Sequence, residues 1–424
     1  MDTTFSRRQF LQKGTQVALA AGVGGSLLAA CGGSSSSSNG SATIKFWHTY
    51  NTTTSESKTL VNQVIPAFHK KYPNITVVPQ QIPDASMLQK LVASVAGGNG
   101  PDVFRSDIVW IPEFAKINAL LPVDDVISSR KDEFYPGPLA TCQYKGSYYA
   151  APLDTNTRVI FYDKDLFSKA GLSQPPTTTD EFKTMAAKIS ALGHNIFGYA
   201  EGGVASWNLL PWIWCFGGAV TDENYTKATG YINGANSVSA LNYIVDLYKT
   251  HALSPSLLGT SGQATSDAIG KNQAGMIIDG PWMPPIFQAT YPNLKYDYAL
   301  MPAGPNGGTT SVVGGEDIAI MRATKNPDAA RKFVQFMTSE EAQVLMGTTG
   351  QMPVLKSLAD NAQLPGYYKT FNKQLETAKP RPVHPNYTKM DTVLTDAFNR
   401  AIRGQATAQT ALDNAATQID ALLQ

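Results

Sequence analysis

Aromatic and acidic side chains cluster just beyond the ends of short apolar runs in this chain, and their types define the chemistry open to it. Trp282 follows Met276-Ile277-Ile278-Asp279, and Glu201, Trp207 and Asn208 follow Phe197-Gly198-Tyr199-Ala200. His48, Tyr50 and Asn51 come after Thr43-Ile44-Lys45-Phe46-Trp47, while Asp107 and Trp110 come after Asp102-Val103-Phe104. Asp154 and Asn156 stand beyond Pro152, and Gly314, Gly315, Glu316 and Asp317 precede Ile318-Ala319-Ile320. Aromatic faces stack on C–H surfaces, and carboxylates, amides and guanidinium groups pair with hydroxyls that are costly to bury alone. Such a set suits an uncharged, hydroxyl-rich ligand.

Each of these residues also has a purely structural use. Asp107 is placed to cap a helix beginning near Ile108, Asp154 to pair with Arg158 four residues on, and Trp110, Trp212 and Trp214 to pack inside helices, Trp212 being the better cleft candidate of the last two. Two acids from Asp154, Glu201, Glu316 and Asp317 would serve a glycosidase only at separations of about 5 Å or 6.5–9.5 Å, which spacing in sequence does not fix. There is no G-x-S-x-G nucleophile elbow and no P-loop. Without C-x-x-C, H-E-x-x-H or a Cys/His cluster of zinc spacing, neither a protein-ligated catalytic metal nor a cofactor is expected.

Charge excludes another class of partner. The 424 residues carry a formal net charge of +1, and charged residues make up only 16% of the chain, so the concentrated basic face that nucleic acid requires is missing. At the N-terminus, Ser6-Arg7-Arg8-Gln9-Phe10-Leu11 matches a twin-arginine export signal and Leu28-Ala29-Ala30-Cys31 a lipobox, separated by a Gly/Ala/Leu run too soft for a transmembrane helix. Residues 1–30 therefore read as a signal peptide and Cys31 as a lipidation site that tethers the protein outside the cytoplasm. A flexible Gly/Ser spacer fills the rest of 31–41. Cys142 and Cys215 remain for the folded part, as buried thiols or, since the compartment allows it, as a bridge.

Positioning the candidates requires an α/β framework. Residues 43–47 alternate as a strand and 55–71 have helical spacing. A second strand covers 75–78, a second helix 87–96 and a third strand 102–104. Such β-α-β units predict an open parallel sheet with ligands beyond the C-terminal strand ends. The remaining length of a little under 400 residues is enough for two domains.

An ordered set of motifs across residues 43–424 resembles the sugar-binding type of extracellular solute-binding protein (family 1, maltose/trehalose-binding-like) that serves ABC importers. They include Gly100-Pro101-Asp102-Val103, Trp110-Ile111-Pro112-Glu113-Phe114-Ala115, Tyr149-Ala150-Ala151-Pro152-Leu153-Asp154-Thr155, Phe161-Tyr162-Asp163-Lys164, Gly280-Pro281-Trp282 and Thr338-Ser339-Glu340-Glu341-Ala342. The resemblance implies a two-lobe clamp with about three crossover segments, lobe 1 from 42–152 and 312–348 and lobe 2 from 156–302 and 350–424. It also implies a monomer that binds carbohydrate, a di- or oligosaccharide, between the lobes without turnover and hands it to permease subunits; a polyol or glycerol phosphate is the alternative solute. Arg381, in Lys379-Pro380-Arg381-Pro382, resembles an arginine that reaches sugar in trehalose/maltose-type members. Asp107, Asp154 and Trp282 fall in family motifs. The segment His48-Thr49-Tyr50-Asn51 departs from the acidic residues that maltose-type members commonly carry there.

Overall fold

The structure, a computed structural model, describes residues 41–259, 264–306 and 308–424. The export signal, Cys31 and all of the spacer but Ser41 lie outside the described residues. The alternating run at 43–47 becomes strand Ala42–His48, which turns Ile44, Phe46 and His48 inward and Thr43 and Lys45 outward. It runs parallel to Ile75–Gln81 on one side and Val103–Asp107 on the other, with helices between them in the chain. The longer strand Val312–Ile320 joins antiparallel to Val103–Asp107 and to Ala150–Asn156, and Lys379–Pro380 pairs with its first residues, completing a six-stranded sheet.

A second sheet has the order Tyr296–Ala299, Val159–Asp163, Ala274–Asp279, Phe197–Ala200, and only its last pair is parallel. The expectation of one parallel arrangement thus holds only for the β-α-β units. Parallel neighbours need a crossover long enough to return the chain to the same end of the sheet, which helices supply there; apart from the short Lys379–Pro380, which runs parallel to Val312–Ile320, the other strands meet from opposite directions.

Each sheet has its own core. Phe46 and Phe68 pack edge-on against Phe333, with ring centroids 5.1 and 5.2 Å away, in the first. In the second, Phe182 stands edge-on to Trp212 at 5.0 Å. Helix Thr179–Ser190 of this second core begins at a capping box in which Thr178 and Glu181 satisfy each other's backbone amides. Cys142 and Cys215 are free, buried thiols in different cores, so no bridge joins them. No helix among the described residues is long and apolar enough to cross a membrane.

Two antiparallel segments link the cores. Ala151 and Leu153 pack in the first core and Ile160 in the second; Val312 packs in the second and Ile318 and Ile320 in the first. Between these ends Asn156 lies opposite Gly314 and Thr155 opposite Gly315. Gly315 has φ +134°, and a Cβ there would come within 2.3 Å of the Asp154 carbonyl oxygen, so the close pairing of these strands requires glycine.

Candidate functional site

A cleft of about 620 Å³ opens where the two cores face each other, within the usual size of small-ligand sites. Its walls are built from strand ends and the helix starts that follow them. From the first core come Thr49 and Asn51 beyond strand Ala42–His48, Glu56 opening the next helix, Asp84 opening helix Asp84–Gly97, and Asp107 ending its strand. From the second come Trp207, second residue of helix Ser206–Cys215, and Trp282, immediately before helix Met283–Thr290. Asn156, Gly314, Gly315 and Glu316, on the linking strands, form the floor.

Beneath the first wall, Arg105 organises a buried polar network. Its guanidinium pairs with Asp154 at 3.2 Å and Glu316 at 2.7 Å, donates to Gln351 at 2.7 Å and Thr49 at 2.5 Å, and lies 4.7 Å from the centre of the Tyr50 ring. Burial would pull its pKa down, but the charges of Asp154 and Glu316 hold it above the ordinary arginine value. Burial and then the neighbouring charges of Asp154 and Asp107 outweigh Arg105 at Glu316, so its carboxyl is pushed well above the usual range. Glu316 sits between those acids because its strand pairs Cα to Cα with Asp107 on one side and Asp154 on the other.

His48 is 2% exposed, its Nδ1 has no hydrogen-bond partner, and burial followed by the Arg105 charge lowers its pKa to about 4. The unfolded chain, with the ordinary value near 6.5, takes up this proton first, so His48 costs stability as the pH falls from about 6.5 towards 4. Lowering the pH from 7.5 to 5.5 is expected to remove about 1 kcal/mol through this residue. His48→Phe should flatten that part of the stability profile in urea titrations; an unchanged slope would show that other groups set it.

The second wall is aromatic. Trp207 and Trp282 have ring centroids 6.5 Å apart and planes inclined by 31°. Arg381 lies 5.3 Å from the centre of Trp207 and 5.8 Å from that of Tyr387, and its guanidinium reaches Asp107 Oδ1 at 2.8 Å. Thr388 donates to Glu113 at 2.8 Å, and Tyr387 packs on Ile108 and Val109. These contacts tie the helix Tyr387–Ile402 to the first core along one rim of the cleft.

Of the residues chosen from sequence, Asn51, Asp107, Trp110, Asn156, Trp207, Asn208, Trp282, Gly314, Gly315, Glu316 and Arg381 line this cleft. Six do not. Tyr50 is 1% exposed beneath Arg105, and His48 is buried between Phe46 and Tyr50. Asp154 is held behind the wall by Arg105, 49 residues earlier, and not by Arg158. Arg158 instead pairs with Glu201 at 2.7 Å inside the second core, which withdraws Glu201 as well. Trp212 is fully buried among Phe182, Tyr199 and Tyr243. Asp317 faces Thr141 and Cys142, accepting from the hydroxyl and the thiol at 3.2 Å each.

Asp107 also accepts the Val109 amide at 3.1 Å, but the helix it was expected to cap begins at Ile111. Glu56, Asp84, Gln351, Tyr387 and Asp391 line the cleft without having been selected from sequence. Tyr387 and Asp391 are one helical turn apart, a spacing that places both on the same face. Asp84 follows Pro83 at the start of a helix just after a strand, the position where its chosen counterparts stand.

The family model of the bacterial extracellular solute-binding proteins matches residues 51–344. A putative binding protein of Brucella abortus is 25% identical over 373 residues, covering 85% of this chain and 89% of that one. A maltooligosaccharide ABC transporter solute-binding lipoprotein of Streptococcus pneumoniae is 26% identical and covers 96% of each. Among solved structures, the GacH receptor of Streptomyces glaucescens, known unliganded and with acarbose, superposes with a TM-score of 0.81 at 25% identity, over 90% of this chain and 98% of that one. Two α/β lobes around a cleft, matched along most of their length, identify the chain as a member of the bacterial extracellular solute-binding protein family.

Proposed function

We propose that this protein is the lipid-anchored, extracytoplasmic substrate-binding component of an ABC importer, that it binds a di- or oligosaccharide reversibly between its lobes, and that it delivers this to a membrane permease. The observation that carries the ligand class is the opposition of two walls: the Trp207/Trp282 pair faces a row of hydrogen-bonding acids and amides across an otherwise open cleft. Stacking on pyranose C–H faces uses the first, and equatorial hydroxyls use the second. The relatives' sugars fit the same reading. A glycerol phosphate would set its negative charge among Glu56, Asp84, Glu316 and Asp391, with Arg381 already paired to Asp107, so the lining disfavours it.

Ligand bridging both lobes favours the closed clamp only by its extra affinity for that state, and closure is the signal a permease can read. A thermal-shift screen against neutral oligosaccharides tests the ligand class. A sugar at one hundred times its Kd adds about 2.7 kcal/mol of stability. A panel without any shift would overturn the sugar reading.

Anchoring is tested separately. Several acyl chains on Cys31 bind a bilayer far more firmly than one, so the mature protein should sediment with membranes and Cys31→Ser should release it. Wild-type protein found wholly in the soluble fraction of cells would refute the anchor.

A further inference from the structure

Charge is distributed unevenly over the cleft. Five carboxylates line it, those of Glu56, Asp84, Asp107, Glu316 and Asp391, against a single cationic side chain, Arg381. Arg381 is spent on Asp107, and Arg105 beneath the wall is shared between Glu316 and the buried Asp154. The Asp84 side chain is exposed to the cleft and has no hydrogen bond or ion pair among the described residues. Enclosure by the cleft walls, and then the nearby charges of Glu316 and Asp107, push its pKa up. A second feature points to a ligand at the same place: Asn156, 6% exposed, lines the cleft with Oδ1 unpartnered, an acceptor waiting for a donor.

We propose that the sugar bound here carries a protonated amine, as an amino sugar or an amine-linked oligosaccharide does, and that the ammonium is seated against Asp84. Hydroxyls of a neutral sugar can satisfy the same acceptors, but they leave the negative charge uncompensated just as closure removes the water that screens it. An ammonium supplies three N–H donors and the missing positive charge together.

This assignment rests on the sugar-binding reading and fails separately from it. Calorimetric titrations would compare size-matched pairs that differ by one charged group or linkage: cellobiose against the corresponding glucosamine disaccharide, and maltotetraose against a pseudotetrasaccharide with one amine linkage. The amine member is expected to bind at least tenfold more tightly, and Asp84→Asn should reduce its affinity by more than that of its neutral partner. Neutral members that bind as tightly or more tightly would overturn the inference and leave sugar binding intact. An amine preference that survives Asp84→Asn unchanged would overturn the assigned seat. Failure of every pair to bind would remove the sugar reading and this one with it.

Discussion

Replacing Glu201 by Ala is expected to cost the fold about 3–5 kcal/mol, the range for removing one partner of a buried ion pair. The side chains of Arg158 and Glu201 are 2% and 0% exposed and meet at 2.7 Å. Glu201 also accepts from the Gly202 amide at 2.8 Å, from Asn208 Nδ2 at 2.7 Å and from the hydroxyl of the buried Tyr199. Arg158 donates to the Asn208 carbonyl at 3.0 Å and to the carbonyl of Ile278. Without Glu201 the guanidinium would remain in the core without its paired carboxylate, and the strand Ala274–Asp279 and the start of helix Ser206–Cys215 would lose part of their shared tie.

Glu201→Gln keeps an acceptor for Gly202 and Asn208 and should cost less. Replacing both partners by apolar residues of similar volume, as in Arg158→Met with Glu201→Leu, should recover much of the loss, because no charge is then left unpaired. Chemical denaturation of the ligand-free proteins would measure all three. If Glu201→Ala leaves stability unchanged and abolishes sugar binding, Glu201 belongs to the ligand site after all.

Glu201 also shows where reading the sequence stops. The residues that reach the cleft were recognisable because a strand ends just before them: Trp282 after Ala274–Asp279, Trp207 in the first turn beyond Phe197–Ala200, Asp107 at the last position of its own strand. Local spacing marks such a place but not the direction in which a side chain leaves it. Asp154 and Glu201 turn inward because arginines that are remote in sequence or wrongly guessed as partners, Arg105 and Arg158, draw them there. Arg105 lies inside a strand, where its spacing suggests nothing of the network it assembles. Asp317 and Glu316 are neighbours in one strand, and alternation sends one to the thiol of Cys142 and the other to the cleft. The antiparallel strands that complete both sheets come from distant parts of the chain, so the local β-α-β pattern could not announce them.

Trp282→Ala should weaken binding of the proposed sugar ligand by about 30-fold to nearly 1000-fold, equivalent to roughly 2–4 kcal/mol, the scale of a binding hot spot. The ring is half-buried, and Gly280 makes room for it: a Cβ at that position would come within 2.2 Å of Trp282 Cη2. Its chain position, immediately before helix Met283–Thr290, fixes the backbone, and the neighbouring Trp207 extends the aromatic surface. Closure would therefore bring a preformed aromatic platform to the ligand with little side-chain ordering left to do, which is why most of the stacking energy should appear as affinity. Stability without ligand should fall less, because the ring is not enclosed by the core as Trp212 is. Calorimetric titration paired with ligand-free melting separates the two roles: unchanged affinity would make Trp282 a rim residue, and a collapsed melting temperature would make it a packing residue. Trp282→Phe, which keeps a smaller stacking face, should fall between wild type and Ala in affinity if the ring acts through contact with the sugar.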